Sequence, residues 1–179
     1  MAEDWMALAE TFKQEPIIAK LLALLVKPQF KLDVDSIARE LPTYISSTHP
    51  SVKEEDDLLA LDDALKRTQG YRDRVTEIVL QLENISRELG KMYSVAESHL
   101  AKKSEFMGLR SLDMRVAIIN DVIKPIVEAI ADVKSLQNSC ELVTTNLKAS
   151  YNTMYTQHEV MKTRLYRDRP LRKDAGTTL

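Results

Sequence analysis

Two heptad-spaced apolar stripes constrain this chain more than any other feature of its sequence. Apolar residues recur at alternating steps of three and four, first from Leu61 to Phe106 and again from Leu112 to Leu165. Of the 14 positions in the first series 11 are apolar, and of the 16 positions in the second series 13 are apolar. A mean spacing of about 3.5 residues held over so many turns is typical of helices packed along a seam. The sequence therefore predicts an all-α fold in which two long helices, joined near Gly108, form an antiparallel, coiled-coil-like hairpin.

The residues before the stripes predict a small helical N-terminal module. Apolar residues on one helical face favour short helices over residues 3–14 and 16–26, followed by a third short helix that Pro42 ends. The polar stretch 43–50 is typical of a loop. The chain is expected to divide into three parts: the N-terminal module over residues 1–50, the hairpin over residues 51–168 and a basic flexible tail over residues 169–179.

Three residues predict how the second long helix begins and bends. Gly108 is expected to end the first long helix, and Ser111 to cap the next one. Pro125 lies inside the second stripe, and the apolar pattern continues in phase on both sides of it. A proline inside a helix removes one backbone hydrogen bond, so we expect a kink near Pro125 but no termination.

Composition and motifs argue against several classes of protein. The 179 residues carry a net charge of −2 and one cysteine, which indicates neither a globally basic protein nor an intramolecular disulfide. The longest apolar run is too short to cross a bilayer, so we expect a cytoplasmic protein with no membrane partner. The three histidines lie far apart in the predicted hairpin, and no metal-ligand, phosphate-loop or nucleophile motif occurs. The sequence therefore predicts no catalytic site, no metal and no cofactor.

The last part of the chain is basic. Six Lys or Arg residues and one acidic residue lie between Lys162 and Lys173, with Tyr166 among them. Cations bind phosphates and tyrosines stack on bases, so this segment is a candidate nucleic-acid contact. In the alternative interpretation, the basic end neutralises the acidic run 54–57 at the start of the other long helix. Together with two cations near the hairpin tip, the candidate nucleic-acid residues are Lys102, Lys103, Lys162, Arg164, Tyr166, Arg167, Arg169, Arg172 and Lys173.

Further apolar residues lie beside the two stripes. A two-helix hairpin hides one stripe per helix, so these residues predict burial against other copies of the chain. In the alternative interpretation, residues 1–41 cover them and leave a monomer. The candidate interface residues are Trp5, Leu8, Phe12, Val79, Tyr93, Leu100, Val122, Leu136 and Val143.

The layout resembles the UvsY-type recombination mediators of tailed phages. The residues that carry the resemblance lie between Leu112 and Arg169, notably NLKASYNTMYTQHEVMKTRLYRDR from Asn146 to Arg169. The resemblance implies a ring-forming, non-enzymatic protein that binds single-stranded DNA and helps to load a recombinase. The other class of function is a structural, scaffold or adaptor subunit of a larger assembly, such as a virion neck, a tail or a chaperone, without DNA binding.

Overall fold

A computed structural model of the protein describes residues 2–25, 28–46, 58–109 and 111–167. Over these ranges the chain is an all-α helical hairpin with no strand, which confirms the predicted fold class. The helices are α1 (Ala2–Lys13), α2 (Pro16–Leu25), α3 (Pro28–Ser46), α4 (Leu58–Leu100), α5 (Ser104–Met107), α6 (Leu112–Val122) and α7 (Lys124–Arg167).

The apolar stripes form the seams of the long helices, as predicted, except at four positions. Every member of the first stripe is buried or half-buried, including the polar Thr68, whose hydroxyl donates to the Ala64 carbonyl at 2.8 Å. In the second stripe four positions depart from the pattern, three of them near its ends. The exposed members are Leu112, Val116, Thr144 and Leu165. Periodicity thus identifies the face that points inward, whereas the extent of packing along that face depends on what lies opposite.

Two helix boundaries differ from their predicted positions. The first long helix ends at Leu100, not near Phe106, and the short helix α5 follows before Gly108 caps it. At Pro125 the expected kink is a one-residue interruption: Ile123 lies between α6 and α7 with φ −111° and ψ 27°. Its carbonyl accepts from the N–H groups of Ile126 and Val127, so a new helix begins there because Pro125 supplies no N–H. Ser111 caps α6 as predicted, accepting from the Met114 N–H at 3.4 Å.

The third helix is also longer than predicted, because α3 continues through Pro42 to Ser46. Proline inside a helix removes one hydrogen bond, and packing beyond it offsets that loss. Here Tyr44 is buried, with its ring centroid 5.3 Å from that of Tyr71 in α4. The predicted loop therefore is helical as far as Ser46.

The chain forms two compact units, each built from residues distant in sequence. The first unit comprises Met1–Leu41 and Glu77–Glu141, and the second comprises Pro42–Thr76 and Leu142–Leu179. Both long helices contribute to each unit. The predicted domain division near residues 50 and 168 stays a prediction, since residues 47–57 and 168–179 lie outside the described ranges.

In the first unit the N-terminal helices cover the hairpin. Helix α1 packs on α6, and Phe12 meets Phe106 edge-on with ring centroids 6.4 Å apart. Ala9 and Ile18 are fully buried, as are the hairpin residues that surround them in the unit. The fully buried side chains of the hairpin include Ile78, Leu82, Leu89, Leu100, Ile118, Ile123 and Ile126.

In the second unit the core is a narrower seam. Leu61, Ala64 and Leu65 of α4 form one buried cluster with Met154 of α7, and Tyr151 packs against it. These pairings match the antiparallel register expected from a turn near Gly108, because Leu61 lies opposite the turn of α7 around Met154.

Candidate functional site

Three of the predicted nucleic-acid cations lie at the end of α7. Every residue from 162 to 167 is exposed, and this stretch contains Lys162, Arg164 and Arg167. Tyr166 is 64% exposed and lies between the two arginines. The helix dipole favours positive charges near a helix C-terminus, which is consistent with three cations at this position. We call residues 162–167 the basic end.

Lys162 of the basic end forms a long ion pair. Its Nζ lies 3.9 Å from Glu159 Oε1, and both side chains are about half exposed. Pairs of that length at the surface contribute little free energy. The acidic run 54–57, and the candidate residues Arg169, Arg172 and Lys173, lie outside the described residues. The alternative interpretation, in which the acidic run neutralises the basic end, therefore stays a prediction.

Cations near the hairpin tip make contacts within the chain. Lys103 Nζ lies 2.6 Å from Glu15 Oε1, so Lys103 is held in an ion pair. The Arg115 guanidinium donates to the carbonyls of Leu109 and Met107 at 2.6–3.1 Å. Lys102 is exposed. A nucleic-acid contact by Lys102 and Lys103 stays a prediction.

Sequence reasoning missed the ion pairs that attach the N-terminal helices. Glu15 contacts both Lys103 and His99 Nε2, the latter at 3.4 Å, and Lys13 Nζ lies 3.1 Å from Asp121 Oδ2. The Lys103 ammonium, with His99, holds the pKa of Glu15 below its usual range. No periodicity signals such pairs, because their partners lie more than 80 positions apart in sequence.

Four of the nine candidate interface residues are buried inside the chain. Phe12, Leu100, Val122 and Val143 are buried within the units to which they belong. The half-buried members are Leu8, Val79, Tyr93 and Leu136. The side chain of Trp5 lies outside the described part. The expectation that only neighbouring copies could cover these residues is wrong for the four buried side chains, since the chain's own helices already cover them.

A groove in the second unit was not foreseen. It has a volume of about 500 Å³ and lies between α4 and α7. Its walls are formed by Asp62, Leu65, Lys66, Gln69, Gly70, Asp73, Tyr151, Tyr155, His158 and Glu159. We call it the tyrosine groove. Tyr151 and His158 belong to the second stripe, and the polar residues of the groove lie beside the two seams. The sequence signal for the groove was a pair of tyrosines one turn apart.

Two consecutive side-chain hydrogen bonds link Arg72, Gln69 and Asp73 at one side of the tyrosine groove. Arg72 Nη1 donates to Gln69 Oε1 at 3.1 Å, and Gln69 Nε2 donates to Asp73 Oδ1 at 2.8 Å. The Arg72 guanidinium carbon lies 5.3 Å from the centre of the Tyr151 ring, within the range of a cation–π contact. Tyr155 stacks next to Tyr151, with ring centroids 6.3 Å apart and planes 12° from parallel.

The other side of the tyrosine groove is charged. Lys66 Nζ pairs with Asp62 Oδ2 at 2.6 Å, which lowers the pKa of Asp62 and raises that of Lys66. His158 Nδ1 is buried and has no hydrogen-bond partner; the nearest carboxylate oxygen, Glu159 Oε1, is 3.5 Å away. A buried ring nitrogen without a partner is unusual in a packed protein, and it lies at the edge of this groove.

Two observations from the described ranges concern metal binding and thiol chemistry. These ranges contain no group of three His, Cys, Asp or Glu side chains placed to hold a metal ion. Cys140 is buried, and burial raises the pKa of its thiol, which disfavours the nucleophilic thiolate.

Comparisons with known proteins leave the site to be interpreted on its geometry. No family model, curated protein or solved structure matches this chain. Among the helices that the structure describes, none combines the length and apolar character needed to cross a bilayer.

Proposed function

We propose that the protein is a non-enzymatic binder of single-stranded DNA that acts through the basic end of α7. The observation that supports this proposal most directly is the exposure of Lys162, Arg164 and Arg167 around one helix terminus. Phosphates are bound mainly by such cations, with release of counterions.

Tyr166 favours a single strand over a duplex. Bases of an unpaired strand are free to stack on an aromatic ring, and each stacked base contributes about 1–3 kcal/mol. The Tyr166 ring is well exposed and is flanked by Leu165, which is also exposed. Alternation of cations with one aromatic side chain suits a strand whose phosphates and bases are both accessible.

The resemblance to UvsY-type mediators extends the proposal. It adds self-assembly into a ring, cooperation with a recombinase, and action in the cytoplasm of a phage-infected host. These extensions depend on the resemblance in residues 112–169, whereas the DNA contact also has the exposed cations as support.

The decisive experiment is a titration of fluorescent single-stranded DNA at several salt concentrations. We expect the logarithm of the binding constant to fall linearly with the logarithm of salt, with a slope of about −0.7 per phosphate neutralised. The double variant Lys162→Ala/Arg164→Ala should bind more weakly and reduce the size of that slope by about 1.4, twice the single-strand value.

The matched control is Arg87→Ala/Lys134→Ala, which removes the same two charge types from exposed positions in the first unit. This control should bind like the wild type. Equal losses in both double variants, or no binding at low salt, would overturn the proposed DNA contact.

A structural subunit is the second candidate function. It is favoured by exposed apolar side chains near the hairpin tip, where Met107 and Leu112 are 60% and 73% exposed. A scaffold protein, such as a virion or chaperone component, would bind its partner through such apolar side chains. Its association would depend weakly on salt, which separates it from a DNA binder.

A further inference from the structure

The chain itself shows what the tyrosine groove can recognise. Arg72 lies over the face of Tyr151, and the adjoining Gln69 holds that guanidinium in place. The π face of tyrosine attracts cations, and a guanidinium adds planar stacking. Tyr155, stacked on Tyr151 and 51% exposed, offers a second aromatic face to a ligand from outside.

The charge of the groove favours a cation. Asp62 is already neutralised by Lys66. Asp73 accepts a hydrogen bond from the neutral Gln69, and in the described ranges no cation lies within ion-pair distance of it. Within the described ranges, the cationic contacts of the Glu159 carboxylate are the long one to Lys162 and the 3.5 Å approach of His158. Arg72 reaches Asp73 only through Gln69. Asp73 and Glu159 therefore lack a short ion pair to a described cation, and each can accept a hydrogen bond from a basic group that enters beside the tyrosines.

Gly70 keeps the middle of the groove open. It lies on the wall formed by α4, and a Cβ built there meets no atom within 4 Å. Packing therefore does not require glycine at this position, although glycine costs a helix about 1 kcal/mol relative to alanine. The absence of a side chain leaves room for an occupant to approach the backbone of α4.

We propose that the tyrosine groove binds an arginine-bearing segment of a protein partner. One arginine of that segment stacks on Tyr155 and forms charge-assisted hydrogen bonds with Asp73 or Glu159. Arginine suits this site better than lysine because its planar fork stacks and bonds to a carboxylate at once. An extended peptide fits an open groove between two helices better than a compact ion does. This site lies apart from the proposed DNA contact, and its test does not depend on DNA binding.

The test is calorimetric titration of the full chain with a hexapeptide in which arginine and glycine alternate. We expect saturable binding with one peptide per groove. The same peptide with citrulline in place of arginine keeps the planar group but loses the charge, and its affinity should be lower by about tenfold or more. Tyr155→Leu keeps the apolar area but removes the π face, and should weaken binding by about fivefold to tenfold.

The sharpest variant is Gly70→Leu, which fills the groove from the helix wall. Its control is Gly90→Leu, since Gly90 is also helical, exposed and without any atom within 4 Å of a built Cβ. Both substitutions remove a glycine from α4, so they should change helix stability alike. Only Gly70→Leu should lower peptide affinity, by about tenfold or more.

Three results would overturn the proposal. Equal peptide affinity in the two leucine variants would place the peptide elsewhere on the acidic surface. Equal binding of the citrulline peptide would exclude guanidinium recognition. A chain ending at residue 167 that gains peptide affinity about tenfold would identify the chain's own residues 168–179 as the occupant.

Discussion

The two compact units use the same long helices for different purposes. In the first unit, α1 packs on α6, and ion pairs such as Glu15–Lys103 and Lys13–Asp121 join residues far apart in sequence. In the second unit, the described ion pairs Lys66–Asp62 and Lys162–Glu159 are local, within one helix. A hairpin covered by further helices becomes a core, whereas a hairpin left open keeps grooves and charges available for ligands.

This difference has a physical cause. Two helices packed along a seam bury one stripe each and expose their remaining faces. A further helical layer buries a second stripe, as Ile118 and Val122 show in the first unit. Both units expose some apolar side chains, but the large aromatic side chains that stay exposed in the described ranges, Tyr155 and Tyr166, both lie in the second unit.

The largest expected effect is that of removing the contact between Phe12 and Phe106. Phe12→Ala should reduce the free energy of unfolding by about 3–5 kcal/mol, because it removes a buried ring and leaves a cavity. Urea unfolding measures the loss, and hydrogen exchange should locate it in the first unit. The control Tyr166→Ala, at an exposed site of the second unit, should change stability by about 0.5 kcal/mol or less. A comparable loss in both variants would remove the distinction between the units.

The next effect concerns the turn in the first unit. Arg115→Ala should cost about 1.5 kcal/mol, because the Leu109 and Met107 carbonyls lose a charged donor. Thermal unfolding monitored by circular dichroism measures this loss. Arg115→Lys should recover little stability, since an ammonium cannot reproduce the fork. Lys102→Ala is the control, and a loss as large there would show that charge alone stabilises the tip.

A smaller effect compares one glycine from each unit. Gly70→Ala and Gly90→Ala should each raise the free energy of unfolding by about 1 kcal/mol, because alanine favours the helix and its Cβ has room. Chemical denaturation of both variants measures the gain. A gain at Gly90 but a loss at Gly70 would mean that the groove closes on itself in solution.

The smallest effect is a pH dependence specific to the first unit. The pKa of Glu15 is lowered in the folded chain by Lys103 and His99. A lowered pKa contributes stability above the ordinary glutamate value of about 4.3, and that contribution is lost as pH falls through the folded value. The stability difference between wild type and Glu15→Gln should therefore be largest near neutral pH and shrink on acidification.

Unfolding titrations between neutral and acidic pH check this prediction. Glu88→Gln is the control, because Glu88 pairs with Lys91 at the surface within one helix. A difference for Glu15→Gln that grew on acidification would have the wrong sign and would contradict the role assigned to the Glu15–Lys103 pair.

Much of the fold was predictable because heptad spacing reports which helical face is buried. The prediction was wrong where a single residue type was given too much weight. Pro42 was expected to end α3, yet the packing of Tyr44 on Tyr71 lies beyond it. Pro125 was expected to bend one helix, yet Ile123 separates two. Local preferences of about 3 kcal/mol compete with packing of similar size, so sequence alone does not decide them.

The candidate sites also differ in whether the sequence could predict them. The basic end was found from charge, because six cations in a short segment need no tertiary information. The tyrosine groove was missed, because its acidic and aromatic members come from helices about 80–90 positions apart. Lys103 was selected by charge, and its ion pair with Glu15 could not be foreseen, because Glu15 lies between α1 and α2, 88 positions away in sequence.

The sequence by itself determined that this chain is helical, antiparallel and sealed along two apolar stripes, since helical period and hydrophobic burial act through near neighbours in the chain. Tertiary structure alone decided which faces remain open, which charges are neutralised and where a cation meets a tyrosine ring. Those properties depend on distances between helices that are remote in sequence, and no local pattern encodes such distances.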